Sequence, residues 1–296
     1  MIEKTDGHKA EDETGVVPVP EILMQHDEQQ EDDENDGFVH CVELLTASFA
    51  NAFHLSNSFS ALGLSFFFGP SRGLLAPVKP TTTLATSTSP DGEAIILQEH
   101  DGHHFLKIGG VPLMSTTAAS SEQTMAELAC EASDKSQRVL IGGLGFGFTL
   151  RKVLELVSED SEVVVAELLQ ELIDWNREYL GEVNGRLLED SRVTVQRKDV
   201  FKIMQSGGRY DVILLDVDNS PDPLVQKGNA RLYQRRGLEI ARSALSPKGR
   251  VVYWSAHPDP GFVKTLRKVF SKVEAIPAKA YPKAKRFTHT LFLAVR

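Results

Sequence analysis

The chain has 296 residues, 41% of them hydrophobic and 25% charged, with a formal net charge of −9. That length carries one large domain plus a smaller one, with a core that needs no metal or disulfide to hold it. The overall charge excludes a strongly basic nucleic-acid binder. The two cysteines, Cys41 and Cys130, form neither a Cys-x-x-Cys pair nor a disulfide framework, which fits a reducing compartment.

The acidity sits at the N-terminus. Residues 1–37 hold 13 acids against two bases, Lys4 and Lys9, whereas the remainder is near neutral. A segment rich in acid and glutamine, without an aromatic residue, cannot bury enough apolar surface to offset its lost chain entropy, so a disordered tail is expected. Residues 44–71 carry no charge and include Phe49, Phe53, Phe59 and the triple Phe66-Phe67-Phe68. Asn51, His54, Asn57 and the five serines from Ser48 to Ser65 make this stretch a poor membrane span, and no membrane association is expected. Its serine-rich, acid-poor character also suits an organelle-targeting segment or a helix packed on the body. A cytoplasmic location is the expectation, with an organelle left open. Residues 70–90 read as a Pro/Ser/Thr linker.

From Thr81 to Ser115 the pattern alternates. Thr83-Leu84-Ala85, Ala94-Ile95-Ile96-Leu97 and Phe105-Leu106-Lys107-Ile108 are separated by Asp91-Gly92 and Asp101-Gly102, which are hairpin signals. A small antiparallel meander is expected, followed by a helix from Ser120 to Ser133. His100, His103 and His104 lie in the meander, but turn residues separate them and no further ligand completes a set, so no metal is expected.

From Arg138 onward apolar runs alternate with helical stretches, the mark of a parallel sheet. Val139-Leu140-Ile141, Val163 to Ala166, Val193-Thr194-Val195, Val212 to Leu215 and Val251 to Trp254 are the strands. The intervening helices are Thr149 to Val157, Leu169 to Tyr179 and Arg231 to Leu245, with Phe262 to Phe270 after the last of these strands. Val273 to Ile276 and His289 to Ala294 suit a closing antiparallel pair. The expected organisation is a tail and linker over 1–80, a small β element over 81–118 and an α/β domain over 119–296.

Gly142-Gly143-Leu144-Gly145-Phe146-Gly147 joins the first strand of this domain to its first helix. Ligands of open α/β sheets bind beyond the carboxyl ends of the strands, where glycines let the backbone approach closely. Glu167 ends the next strand, 24 residues beyond Gly143, where an acid can accept both ribose hydroxyls of an adenosine. Two further acids fall on the same rim. Asp199 follows the third strand, suited to an adenine amino group or to capping a helix. Asp216 and Asp218 follow the fourth. A nucleoside-bearing cofactor is expected, bordered by Gly143, Gly145 and Gly147 and held by Glu167 and Asp199. His257 reads as a polar rim residue, Trp175 as core, and Lys279, Lys283, Lys285 and Arg286 as a solvated loop.

These residues carry a resemblance. Val139-Leu140-Ile141-Gly142-Gly143, Glu167, Asp199 and Tyr210-Asp211-Val212-Ile213-Leu214-Leu215-Asp216 look like the catalytic domain of the spermidine synthase (polyamine aminopropyltransferase) family. Leu232-Tyr233 and Leu245-Ser246-Pro247-Lys248-Gly249 are also similar. The resemblance implies an α/β fold with a Rossmann-like, seven-stranded methyltransferase-type sheet, preceded by a small β domain. It implies aminopropyl transfer from decarboxylated S-adenosylmethionine to a small-molecule amine, releasing methylthioadenosine, with Asp216 as the base and no metal. A homodimer is a further implication. Three places depart from the family. Gly145 stands where its glycine loop usually carries an acid. Met125-Ala126 stands where it carries a Tyr-His pair. Val217-Asp218-Asn219 replaces its usual sequence after the base, and Asp218 is the carboxylate placed to make good a lost one. Two alternatives stay open: a methyltransferase using S-adenosylmethionine itself, and a non-catalytic nucleoside-binding protein of the same fold.

Overall fold

The computed structural model describes residues 79–296, except 90–91, 131–134 and 218–226. The acidic tail, the uncharged stretch 44–71, Cys41 and Asp218 lie outside the described residues.

The first sheet is antiparallel, in the order β1 (Thr82–Thr88), β2 (Ala94–His100), β3 (His103–Ile108), β4 (Val111–Ser115). Asp101 and Gly102 both take positive φ, 51° and 78°, which matches the twist of a two-residue hairpin. The three-strand expectation fell one strand short. β4 follows the Gly109-Gly110 turn and contains Pro112, which is tolerated because β4 is an edge strand.

The main sheet has seven strands in the order β10, β11, β9, β8, β5, β6, β7. Its parallel part comprises β5 (Arg138–Gly142), β6 (Glu162–Ala166), β7 (Val193–Gln196), β8 (Tyr210–Leu215) and β9 (Leu245–Ser255). β10 (Lys272–Ala278) and β11 (His289–Val295) close one side as the expected antiparallel pair. The central strands are apolar throughout because both faces are covered. Leu140, Val164, Ile213 and Val251 face one core, and Val139, Val163, Val212 and Val252 face the other. This is the Rossmann-like, seven-stranded architecture implied by the sequence.

The helices are α1 (Ser120–Ala129), α2 (Phe148–Leu156), α3 (Gln170–Glu178), α4 (Gly181–Asn184), α5 (Val200–Gln205), α6 (Ala230–Tyr233), α7 (Arg235–Ala244) and α8 (Pro260–Leu266). α1 stops at Ala129, short of the expected Ser133, where Cys130 turns extended. The helix expected from Arg231 to Leu245 is two helices. Gln234 is extended between them, and a Cβ on Gly237 would lie 2.2 Å from the Arg231 carbonyl oxygen, so α7 starts hard against α6. Ser246 to Gly249 does not simply end a helix. It bulges from β9, whose pairing with β8 jumps from Leu245 to Arg250, with Lys248 at φ 66°. Trp175 is buried with Leu172 and Phe146 against Ile95, Leu97 and Leu106 of the small sheet.

Candidate functional site

The ends of four neighbouring parallel strands, β8, β5, β6 and β7, are tied together by backbone bonds that continue the ladder past the strands. Gly143 N–H donates to Ala166 O at 2.9 Å, Glu167 N–H to Gln196 O at 3.1 Å, and Asp216 N–H to Gly142 O at 2.9 Å. Gly143 takes φ 91°, and a Cβ there would lie 2.1 Å from the Asp216 carbonyl oxygen. The glycine run therefore turns directly over the end of β8, and one cavity forms at this rim. Gly143, Gly145, Glu167, Asp199 and Asp216 all line it. Gly147 does not. A Cβ there would meet Leu187, Asn184 and Asn176, so Gly147 faces the interior and starts α2 at φ 82°.

Glu167 is buried beneath the loop. Its carboxylate accepts the backbone N–H groups of Leu144, Leu168 and Leu169 at 2.8–2.9 Å. Burial pushes its pKa up, and those N–H groups oppose the shift. Glu167 thus holds the loop's shape as well as lining the cavity. Asp199 also has two duties: it caps α5 by accepting Phe201 N–H at 2.8 Å, and its other oxygen pairs with Arg231, whose guanidinium lies over the Phe201 ring.

Asp216 accepts a hydrogen bond from Thr149 Oγ1 at 3.0 Å, and its surroundings raise its pKa by desolvation. Solvent reaches it only partly.

Several residues of the site were missed in the sequence. Glu122 of α1 lines the same cavity and receives Ser121 Oγ at 2.6 Å. Its pKa is raised by desolvation first and by the Asp216 charge second. Asn176 and Asn184 form a buried pair: Asn176 Nδ2 donates to Gly145 O and Leu172 O, and Asn184 Nδ2 to Asn176 Oδ1, each at 2.8 Å. Asn176, set among Leu172, Ile173 and Trp175 on the buried face of α3, was the available signal. Met114 of β4 lies against Gly145, 3.3 Å from where a Cβ would be, so a thioether occupies the space beside the loop. Trp254 was not missed: the sequence puts it at the end of the fifth parallel strand near the cleft, and it lines the cavity there and stacks on His289, with ring centroids 4.8 Å apart. Met125 and Ala126 are fully buried in the core beneath α1 and do not line the cavity. Among the described residues, no group of three or more His, Cys, Asp or Glu side chains could hold a metal ion, and no helix is long and apolar enough to cross a membrane.

Comparison with known proteins places the greater part of the chain in a family. Residues 119–281, more than half of the chain, match the model of the spermine/spermidine synthase domain. Among curated relatives, polyamine aminopropyltransferase 1 of Hyperthermus butylicus is 30% identical over 162 residues, covering 53% of this chain and 54% of that protein. Polyamine aminopropyltransferase 2 of Pseudomonas aeruginosa is 31% identical over 175 residues, covering 55% of this chain and 49% of that protein. The chain thus spans about half the length of the curated relatives it matches. The fold is shared with spermidine synthase from Thermotoga maritima, at TM-score 0.59 and 20% identity over 72% of each chain. A spermidine synthase in complex with the transition-state analogue AdoDATO aligns at TM-score 0.58 and 19% identity, again over 72% of each chain. By its sequence over residues 119–281, this chain belongs to the spermine/spermidine synthase family.

Proposed function

We propose that the chain transfers an aminopropyl group from decarboxylated S-adenosylmethionine to a small-molecule amine and releases methylthioadenosine. The observation that carries the reading is the joint placement of Asp216 with Glu167, Asp199 and the glycine loop around one cavity at the strand ends. Glu167 and Asp199 are the acceptors for the nucleoside's hydroxyl and amino groups, and Gly143 and Gly145 allow its close approach. Asp216 supplies the proton chemistry. An ammonium has no lone pair, so the acceptor must give up a proton, and a desolvated carboxylate is a stronger base than a solvated one. The amine nitrogen then forms a bond to the aminopropyl carbon as the carbon–sulfur bond breaks. The bonding pair stays on sulfur, which becomes a neutral thioether, and the positive charge passes to nitrogen.

A second reading rests on Gly145. Met114, Leu113 and Ile108 line the cavity with Gly145. An uncharged wall there raises no repulsion against a carboxylated donor, as S-adenosylmethionine methyl transfer requires. Turnover of the two donors separates the readings. Methylthioadenosine released from the decarboxylated donor only in the presence of an amine supports aminopropyl transfer. Demethylated product from the carboxylated donor, with no methylthioadenosine, supports methyl transfer.

A further inference from the structure

Glu122 and Asp216 reach one cavity from different elements, α1 and the end of β8. Each has one oxygen engaged by a neutral hydroxyl, Ser121 Oγ on Glu122 and Thr149 Oγ1 on Asp216. Among the described residues no lysine or arginine pairs with either carboxyl. Lys198 lines the same cavity without pairing with either carboxyl, and Lys152 of α2 is paired with Glu127 and Glu155. On β11, His289 is held neutral near pH 7, its pKa lowered to about 4 by burial and by His257. Two carboxylates sharing a poorly solvated space with no paired cation among the described residues are costly, and the cost falls when a cation enters between them.

We infer that Glu122 is a second amine-holding carboxylate of this site, positioning an ammonium of the acceptor while Asp216 takes the proton from the attacking nitrogen. The inference rests on the aminopropyl-transfer reading for the identity of the amine, but not for its binding. Once Asp216 has accepted a proton, it no longer balances a charge on the substrate. Glu122 keeps a negative charge in the cavity to hold the remaining ammonium. In the empty site the pair favours retaining a proton, because each carboxyl is desolvated and Glu122 also feels the Asp216 charge. Arrival of an ammonium therefore drives that proton to solvent.

The test is calorimetric binding of 1,4-diaminobutane and, separately, n-butylamine to the full chain saturated with methylthioadenosine, in two buffers of different ionisation enthalpy. The wild-type protein binds the diamine more tightly than the monoamine and releases a proton as it does so. Glu122→Gln weakens the diamine on the order of tenfold to a hundredfold, removes its advantage over butylamine and lowers proton release. Methylthioadenosine affinity stays unchanged, and Glu122→Asp recovers part of the loss. Unchanged diamine affinity in Glu122→Gln overturns the inference, as does an equal loss of both amines, or a wild-type protein that binds neither. A wild-type protein that binds the diamine as described but releases no methylthioadenosine from the decarboxylated donor overturns the transfer reading and leaves the Glu122 assignment standing.

Discussion

A Cβ on Gly143 would lie 2.1 Å from the backbone oxygen of Asp216. The turn that opens the cavity and the residue assigned as its base are therefore one mechanical unit. A side chain at position 143 meets backbone rather than a flexible side-chain tip, and φ 91° is itself strained for an L residue. Gly143→Ala is expected to cost about 2–4 kcal/mol in urea unfolding, by overpacking and strain together. Gly145→Ala meets only the end of Met114 and should cost about 1 kcal/mol. Equal effects at the two positions would contradict this account.

The Asn176–Asn184 pair makes a second prediction. Asn176→Leu removes the donor to Gly145 O and leaves Asn184 Nδ2 without its closest acceptor. Buried polar groups left unpaired cost about 1–3 kcal/mol each. The melting temperature should fall, and the stabilisation by methylthioadenosine should shrink because the loop that borders the nucleoside loses an anchor. A lower melting temperature with full nucleoside stabilisation would limit the pair to a structural role.

The same rim sets the pH dependence of stability. Glu122 and Asp216 have folded pKa values raised above their unfolded ones, so the native state holds protons that the unfolded chain has released. Their contribution to stability is present at low pH and is lost as pH rises through the folded values. His289 acts in the opposite sense. Its folded value is lowered to about 4, so stability is lost as pH falls from the ordinary histidine range towards 4. Glu122→Gln should therefore raise the melting temperature of the ligand-free protein at pH 8, by about 2–4 °C for each kcal/mol relieved. At pH 5 its effect should be smaller. A stabilisation of equal size at both pH values would show that the gain is packing and not charge.

Much of the architecture could be read along the chain because the central strands are short continuous apolar runs, and those of β5, β6 and β8 are ended by Gly142, Glu167 and Asp216. That punctuation placed Glu167 and Asp216 at strand ends, and the Gly142–Gly147 run at the join of β5 and α2. Glu122 was not legible. α1 carries two acids, Glu122 and Glu127, and only packing decides that Glu127 meets Lys152 while Glu122 turns into the cavity. Gly147 looks like its neighbours in sequence, yet it faces Leu187 and the asparagine pair, because the loop has turned by then. The break between α6 and α7 was hidden for a related reason: Gly237 marks a contact between two helices that no periodicity displays.

The role of Asp216 gives the most direct test of the whole account. Methylthioadenosine release by the full chain should be measured with decarboxylated S-adenosylmethionine and a mixture of diamines and polyamines, for the wild type and for Asp216→Asn. The account predicts release by the wild type, a loss of roughly 10²–10⁴-fold in Asp216→Asn, and unchanged affinity of that variant for methylthioadenosine. Release by Asp216→Asn at the wild-type rate, or no release by a folded wild-type protein that binds the donor, would contradict it.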